Sequence, residues 1–96
     1  MATSKLKPVI VRCDRGSPWF GYLKSRKGRE VSLMRARRIW RWYGAWTLSE
    51  IATSGLDIGK SKIAAPVDVT LTDAIEIIVC MPAAVVILEK AQWSEK

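Results

Sequence analysis

The chain has 96 residues, is 49% hydrophobic and 26% charged, and carries sixteen Lys and Arg against nine Asp and Glu, a net charge of +7. That length holds one domain with one modest core, and the composition excludes a wholly disordered chain. The basic balance favours an anionic partner, while the absence of histidine removes both the usual general base near neutral pH and most ligands for zinc or iron.

Residues 1–7 read as a flexible basic lead-in, with none of the apolar core that a signal peptide needs, and residues 8–93 as a single domain. Val9–Val11, running on to Cys13, is a short β-branched strand that ends in the turn-formers Asp14, Gly16, Ser17 and Pro18. Trp19–Leu23 is a second strand, and Gly21 in its middle predicts a bulge or a close backbone approach. Lys27–Gly28 predicts a hairpin turn. From Glu30 the chain alternates, placing Val31 and Leu33 on one face, and the extended pattern continues past Met34. Strict alternation then sets Ala36, Arg38, Trp40 and Trp42 on one face and Arg37, Ile39, Arg41 and Tyr43 on the other. A helix over residues 32–42 competes, but it would scatter the arginines and has no clean apolar stripe.

Gly44 breaks the strand, and Thr47-Leu48-Ser49-Glu50 is a capping box that opens a short helix ending at Gly55. Two turns cannot stand alone, so Leu48, Ile51 and Ala52 must pack against the core. Residues 56–66 read as a loop. Val67–Leu71 and Ala74–Cys80 are two further strands joined at Thr72-Asp73, and Pro82 opens an apolar helix over Ala83–Gln92. The expected fold is α+β: a small bent antiparallel sheet or partly open β-barrel with a short internal helix and a C-terminal one. Cys13 and Cys80 lie in apolar runs and read as buried free thiols, which suits a reducing cytosol.

No nucleophile elbow, phosphate-binding glycine loop or metal-ligand spacing is present, and the carboxylates of Asp68 and Glu76 alternate onto a solvated face. The expectation is a protein that is not an enzyme, with no metal and no cofactor. Binding chemistry is concentrated instead between Ala36 and Gly55. Guanidinium forks match phosphate oxygens, and indole faces stack on bases. Arg37, Arg38 and Arg41 are therefore the phosphate candidates, and Trp40, Trp42 and Tyr43 the stacking candidates. The helix start at Thr47 offers free backbone N–H groups to an anion.

The run A-R-R-I-W-R-W-Y-G-A-W-T-L-S-E-I-A, Ala36–Ala52, resembles a family of small bacteriophage proteins with the recurring pattern A-R-R-hydrophobic-W-x-W-x-G-A before a Leu-Ser helix start. V-I-V-R, G-Y-L-K-S-R-K-G-R-E-V-S-L and L-T-D-A-I-E-I-I extend the likeness across residues 8–80. Trp46, where a small residue is usual, and the tail from Met81 depart from it. The resemblance implies a phage-encoded protein of the host cytoplasm. By analogy with small phage proteins that act as sponges, the expected role is to sequester a nucleotide second messenger, a cyclic oligonucleotide or a cyclic ADP-ribose type of signal, and so block anti-phage defence. Nanomolar capture needs about −12 kcal/mol, which one small open surface barely supplies, so this reading expects a homo-oligomer that encloses the ligand. The alternatives are a small β-rich nucleic-acid-binding protein and an inhibitor of a host protein. No membrane partner is expected.

Overall fold

The structure, a computed structural model, describes residues 6–91. The elements run β1 (Lys7–Cys13), β2 (Trp19–Lys27), β3 (Glu30–Arg41), α1 (Leu48–Ser54), β4 (Lys62–Ile63), β5 (Val67–Leu71), β6 (Ala74–Val79) and α2 (Pro82–Lys90). This is the α+β architecture expected, a bent antiparallel sheet with one short internal and one C-terminal helix. Three boundaries differ. Lys7 already belongs to β1 and Leu6 packs on the core; α2 ends at Lys90, with Ala91 extended after it, short of the expected end at Gln92; residues 1–5 and 92–96 lie outside the described residues. The segment 56–66 also contains β4, a two-residue strand too short to leave a periodic signal.

β1 pairs with β2 and β6, and β3 pairs with β2 on one side and with β5 and β4 on the other. β5 and β6 behave as one strand bent at Thr72-Asp73. Before the corner it bonds to β3, and after it to β1. At the corner the Asp14 N–H donates to the Asp73 carbonyl at 3.0 Å and the Ala74 N–H to the Arg29 carbonyl at 3.1 Å. The sheet thereby curls on itself.

Both faces of β1 are buried, because each covers a separate core. Val9, Val11 and Cys13 join Trp19, Val31, Leu33, Ala36, Leu71 and Ala74 inside the curl. Ile10 faces the other way and joins Phe20, Tyr22, Ile39, Ile51, Ile63 and Leu88, so α1 and α2 pack on the convex side. Leu48 packs half-buried against this second core, while Ile51 and Ala52 lie within it.

The sheet bends at one point in β3. Gly21 of β2 faces Arg35 and Ala36 together, and Arg35 adopts φ +52°, uncommon without glycine. The Asp68 carboxylate holds this bulge by accepting the Arg35 N–H at 3.0 Å. A Cβ on Gly21 would sit 3.0 Å from the Ala36 Cα, so the β3 backbone would have to give way. Gly21→Ala should therefore destabilise the domain by about 2–3 kcal/mol, the cost of overpacking; a thermal melt unchanged within a degree or two would show that the bulge moves freely.

Candidate ligand-binding surface

β3 distributes the candidate residues by parity. Ile39 is fully buried beneath the helices, and Arg37, two residues earlier, points to the same side. The whole residue is 4% exposed. Nε donates to the Ala64 carbonyl and Nη1 to the Leu88 carbonyl, both at 2.9 Å. Leu88 lies in the last turn of α2, where carbonyls have no helical partner. Arg37 is thus a buried C-terminal cap for α2 and not an exposed phosphate ligand, a correction to its expected role. Burial lowers its pKa from the ordinary arginine value.

On the opposite face, Arg38 is exposed and lies 4.5 Å over the Trp19 ring, and Trp40 is about one-third exposed. Arg41 is exposed at the end of β3 and stands directly across from Lys62 of β4. Like charges in register repel. An anion seated between them would reverse the sign of that interaction. Lys62 was not singled out from the sequence, because its strand leaves no pattern there.

After Arg41 the chain forms a fixed loop. The Tyr43 N–H donates to Ser61 Oγ at 3.0 Å, and its carbonyl accepts the Asp57 N–H at 2.8 Å. Gly44, at φ +85°, lies against Asp57, where a Cβ would meet the Asp57 nitrogen at 3.0 Å. At the far end the Trp46 N–H donates to Glu50 Oε1 at 2.9 Å, and the Glu50 N–H donates to Thr47 Oγ1 at 3.1 Å. Thr47 caps the helix as expected, while Glu50 reaches one residue past the N-cap to the Trp46 N–H in place of the reciprocal bond of a capping box. The Thr47 oxygen is thus used by the helix and a carboxylate stands at the helix start, so the expected anion site at Thr47 is corrected to a structural cap.

These anchors hold three aromatic side chains on one crest. Trp42 is half-buried against Leu48 and the helix-side core, Tyr43 is half-exposed, and Trp46 is 91% exposed. Trp42 and Trp46 form the divide between two open hollows. One, of about 410 Å³, is completed by Tyr43, Gly44 and Ala45. The other, of about 350 Å³, is completed by Arg12, Glu76 and the start of α1. Of the seven candidates, Trp42, Tyr43 and Thr47 line these hollows, joined by Trp46, while Arg41 ends β3 just before them with Lys62 across from it. Arg38 and Trp40 share the neighbouring face.

Other chemistry is sparse among the described residues. Burial pushes the Cys13 thiol up to about 11, with Asp73 adding to the shift, and the Cys80 thiol up to about 12. Both stay protonated at neutral pH, and a protonated thiol is a poor nucleophile. No group of three or more Asp, Glu, Cys or His among these residues is placed to hold a metal ion. No helix among them is long and apolar enough to cross a membrane.

The family described as Domain of unknown function (DUF6948) matches residues 6–88, nearly the whole described fold. The chain belongs to that family. No curated protein and no solved structure matches this DUF6948 chain. The matched span contains both cores except Ala91, the β3 bulge and the aromatic crest, and it stops within α2, at the residue whose carbonyl Arg37 caps.

Proposed function

We propose that this protein binds, without catalysis, a ligand bearing both phosphate and an aromatic base, and that it acts by sequestering that ligand. One observation carries the reading: a tryptophan 91% exposed on a loop fixed at both ends, which leaves a strand end where two cations stand in register. An indole in water gives up the free energy of burying its large apolar area, and a solvated loop gains nothing from holding it rigid. Stacking against a base recovers that energy, at about 1–3 kcal/mol per base, while Arg41 and Lys62 meet the phosphate.

The likeness of Ala36–Ala52 to phage proteins extends this proposal to its finer form. The ligand is then a nucleotide-derived defence signal, captured in the host cytoplasm. A second reading has a specific observation in its favour. Both hollows are open in the single chain, and an open aromatic crest with cations alongside suits a single strand of nucleic acid.

Calorimetry against cyclic dinucleotides, cyclic trinucleotides, cyclic ADP-ribose isomers and a short single-stranded oligonucleotide separates the two. A signal binder gives heat with one small ligand and a shallow salt dependence; a strand binder gives heat with the oligonucleotide and a slope that grows with the phosphates neutralised. Trp46→Ala should weaken either interaction about tenfold or more, leaving the melting temperature within a few degrees. No heat with any of these ligands refutes the proposal.

A further inference from the structure

β6 is an edge strand with one side bonded to β1 and the other open between two flanking elements. The Cys80 N–H donates to the Pro8 carbonyl at 2.9 Å, so in an antiparallel ladder residues 76 and 78 also bond toward β1. The alternate residues, Ile77 and Val79, turn their N–H and C=O groups outward. Met81 follows the same parity, and its outward N–H donates to the Ala52 carbonyl of α1 at 2.8 Å. At the other end the Ala74 N–H is taken by Arg29, and Ile75 is the extra residue of a bulge. Ile77 and Val79 thus leave four backbone groups without a partner among the described residues. The side chains alongside are apolar and exposed: Val79 is 57% exposed, and Ile75 and Met81 about half. An exposed apolar edge invites another strand.

Charge and register identify that strand. Residues 64–89 carry no Lys or Arg and four carboxylates, Asp68, Asp73, Glu76 and Glu89, on a chain of net charge +7, and Arg12 on the neighbouring strand is paired with Glu76 at 3.9 Å. Two copies of a basic protein repel less when such segments meet. We propose that two copies of this chain pair through β6, antiparallel about a two-fold axis at Ile78. In that register Ile77 stands opposite Val79 of the second copy, and the symmetric pair repeats the contact. All four outward groups on each copy are then satisfied by four hydrogen bonds. Ile78 meets Ile78 and Glu76 faces Cys80, and the pairing stops there because α1 already holds the next outward N–H, that of Met81. An axis at Glu76 would set two carboxylates opposite each other. An axis at Ile77 would pair Val79 with the bulged Ile75 and leave only two bonds well formed. A hollow of about 570 Å³ between the β2–β3 turn (Arg26, Gly28, Arg29) and Ala74–Ile77 keeps the Ile77 end of this edge clear of the rest of the chain.

The ligand reading is not needed for this interface, and its test uses no ligand. Light scattering on the full chain at tens of micromolar should give about twice 10.8 kDa, with a melting temperature that rises with protein concentration. Val79→Lys places a charge on the edge without touching a core, since Val79 is exposed; it should weaken dimerisation about tenfold or more while the circular dichroism spectrum stays the same. Met81→Lys should act in the same direction. Amide exchange at Ile77 and Val79 should be slow in the wild type and faster in Val79→Lys. A wild-type chain that stays monomeric into the hundreds of micromolar overturns the proposal. So does an oligomer whose mass survives Val79→Lys, or one in which the Ile77 and Val79 amides exchange freely.

Discussion

Arg37→Ala should lower the melting temperature by roughly 15–30 °C, making it among the most damaging single changes available in this fold. Truncation leaves the Ala64 and Leu88 carbonyls buried without their donors, at about 1–3 kcal/mol each. It also opens a cavity where a long side chain crossed the helix-side core. Together these amount to about 3–5 kcal/mol, against a total stability of about 5–15 kcal/mol for a domain of this kind. Arg37→Met separates the two contributions, because it fills most of the volume and donates nothing. It should recover the cavity portion and leave the cost of the orphaned carbonyls. Nη2 of Arg37 has no hydrogen-bond partner among the described residues, so the wild-type cap is itself incompletely satisfied. Thermal melts of the two variants, followed by far-ultraviolet circular dichroism, check the assignment. A shift of only a few degrees in Arg37→Ala would mean that the end of α2 is held by other groups.

This arginine also marks where sequence reasoning reached its limit. Alternation placed Arg37 with Ile39, and a β-branched residue flanked by cations is a sign of the inward face. That parity points Arg37 inward, against the match of a guanidinium to phosphate. What sequence could not show was the distant partner, since the carbonyls of Leu88 and Glu89 lie about fifty residues away along the chain. The bulge divides in the same way. Gly21 announced a close approach, whereas Arg35 at φ +52° depends on a carboxylate 33 positions later. Local devices were legible: the Thr47–Glu50 capping box, the Lys27–Gly28 turn, the alternation along β3 and the packing of Ile51 and Ala52. The expectation at Thr47 failed for a local reason too, because the Thr47 hydroxyl is taken by the Glu50 N–H and the Glu50 carboxylate puts a negative charge where an anion would sit. The three tryptophans clustered in sequence were divided in space, since Trp40 lies within β3 and Trp42 and Trp46 beyond its end. Lys62 could not be placed at all, because a two-residue strand is defined only by the β3 residues it pairs with.

Lys62 now offers the sharpest functional test, because stability and binding should respond to it in opposite directions. Lys62→Glu replaces a repulsive cross-strand pair with an attractive one opposite Arg41, which should raise stability by about 0.2–1 kcal/mol. The same change puts a carboxylate where the proposed phosphate sits. It removes one charge-assisted contact, worth about 1.5–3 kcal/mol, and adds repulsion of the ligand, so affinity should fall about a hundredfold or more. Lys62→Gln should lie between the two on both measures. Calorimetry with whichever ligand binds the wild type, paired with a thermal melt of each variant, reads both quantities on one set of proteins. A residue kept for the fold would lose stability when changed; one kept for an anion should hold stability or gain it while binding is lost. If Lys62→Glu binds as tightly as wild type, the Arg41–Lys62 pair is a solvated accident of register, and the aromatic crest must meet its partner through Trp42, Tyr43 and Trp46 alone.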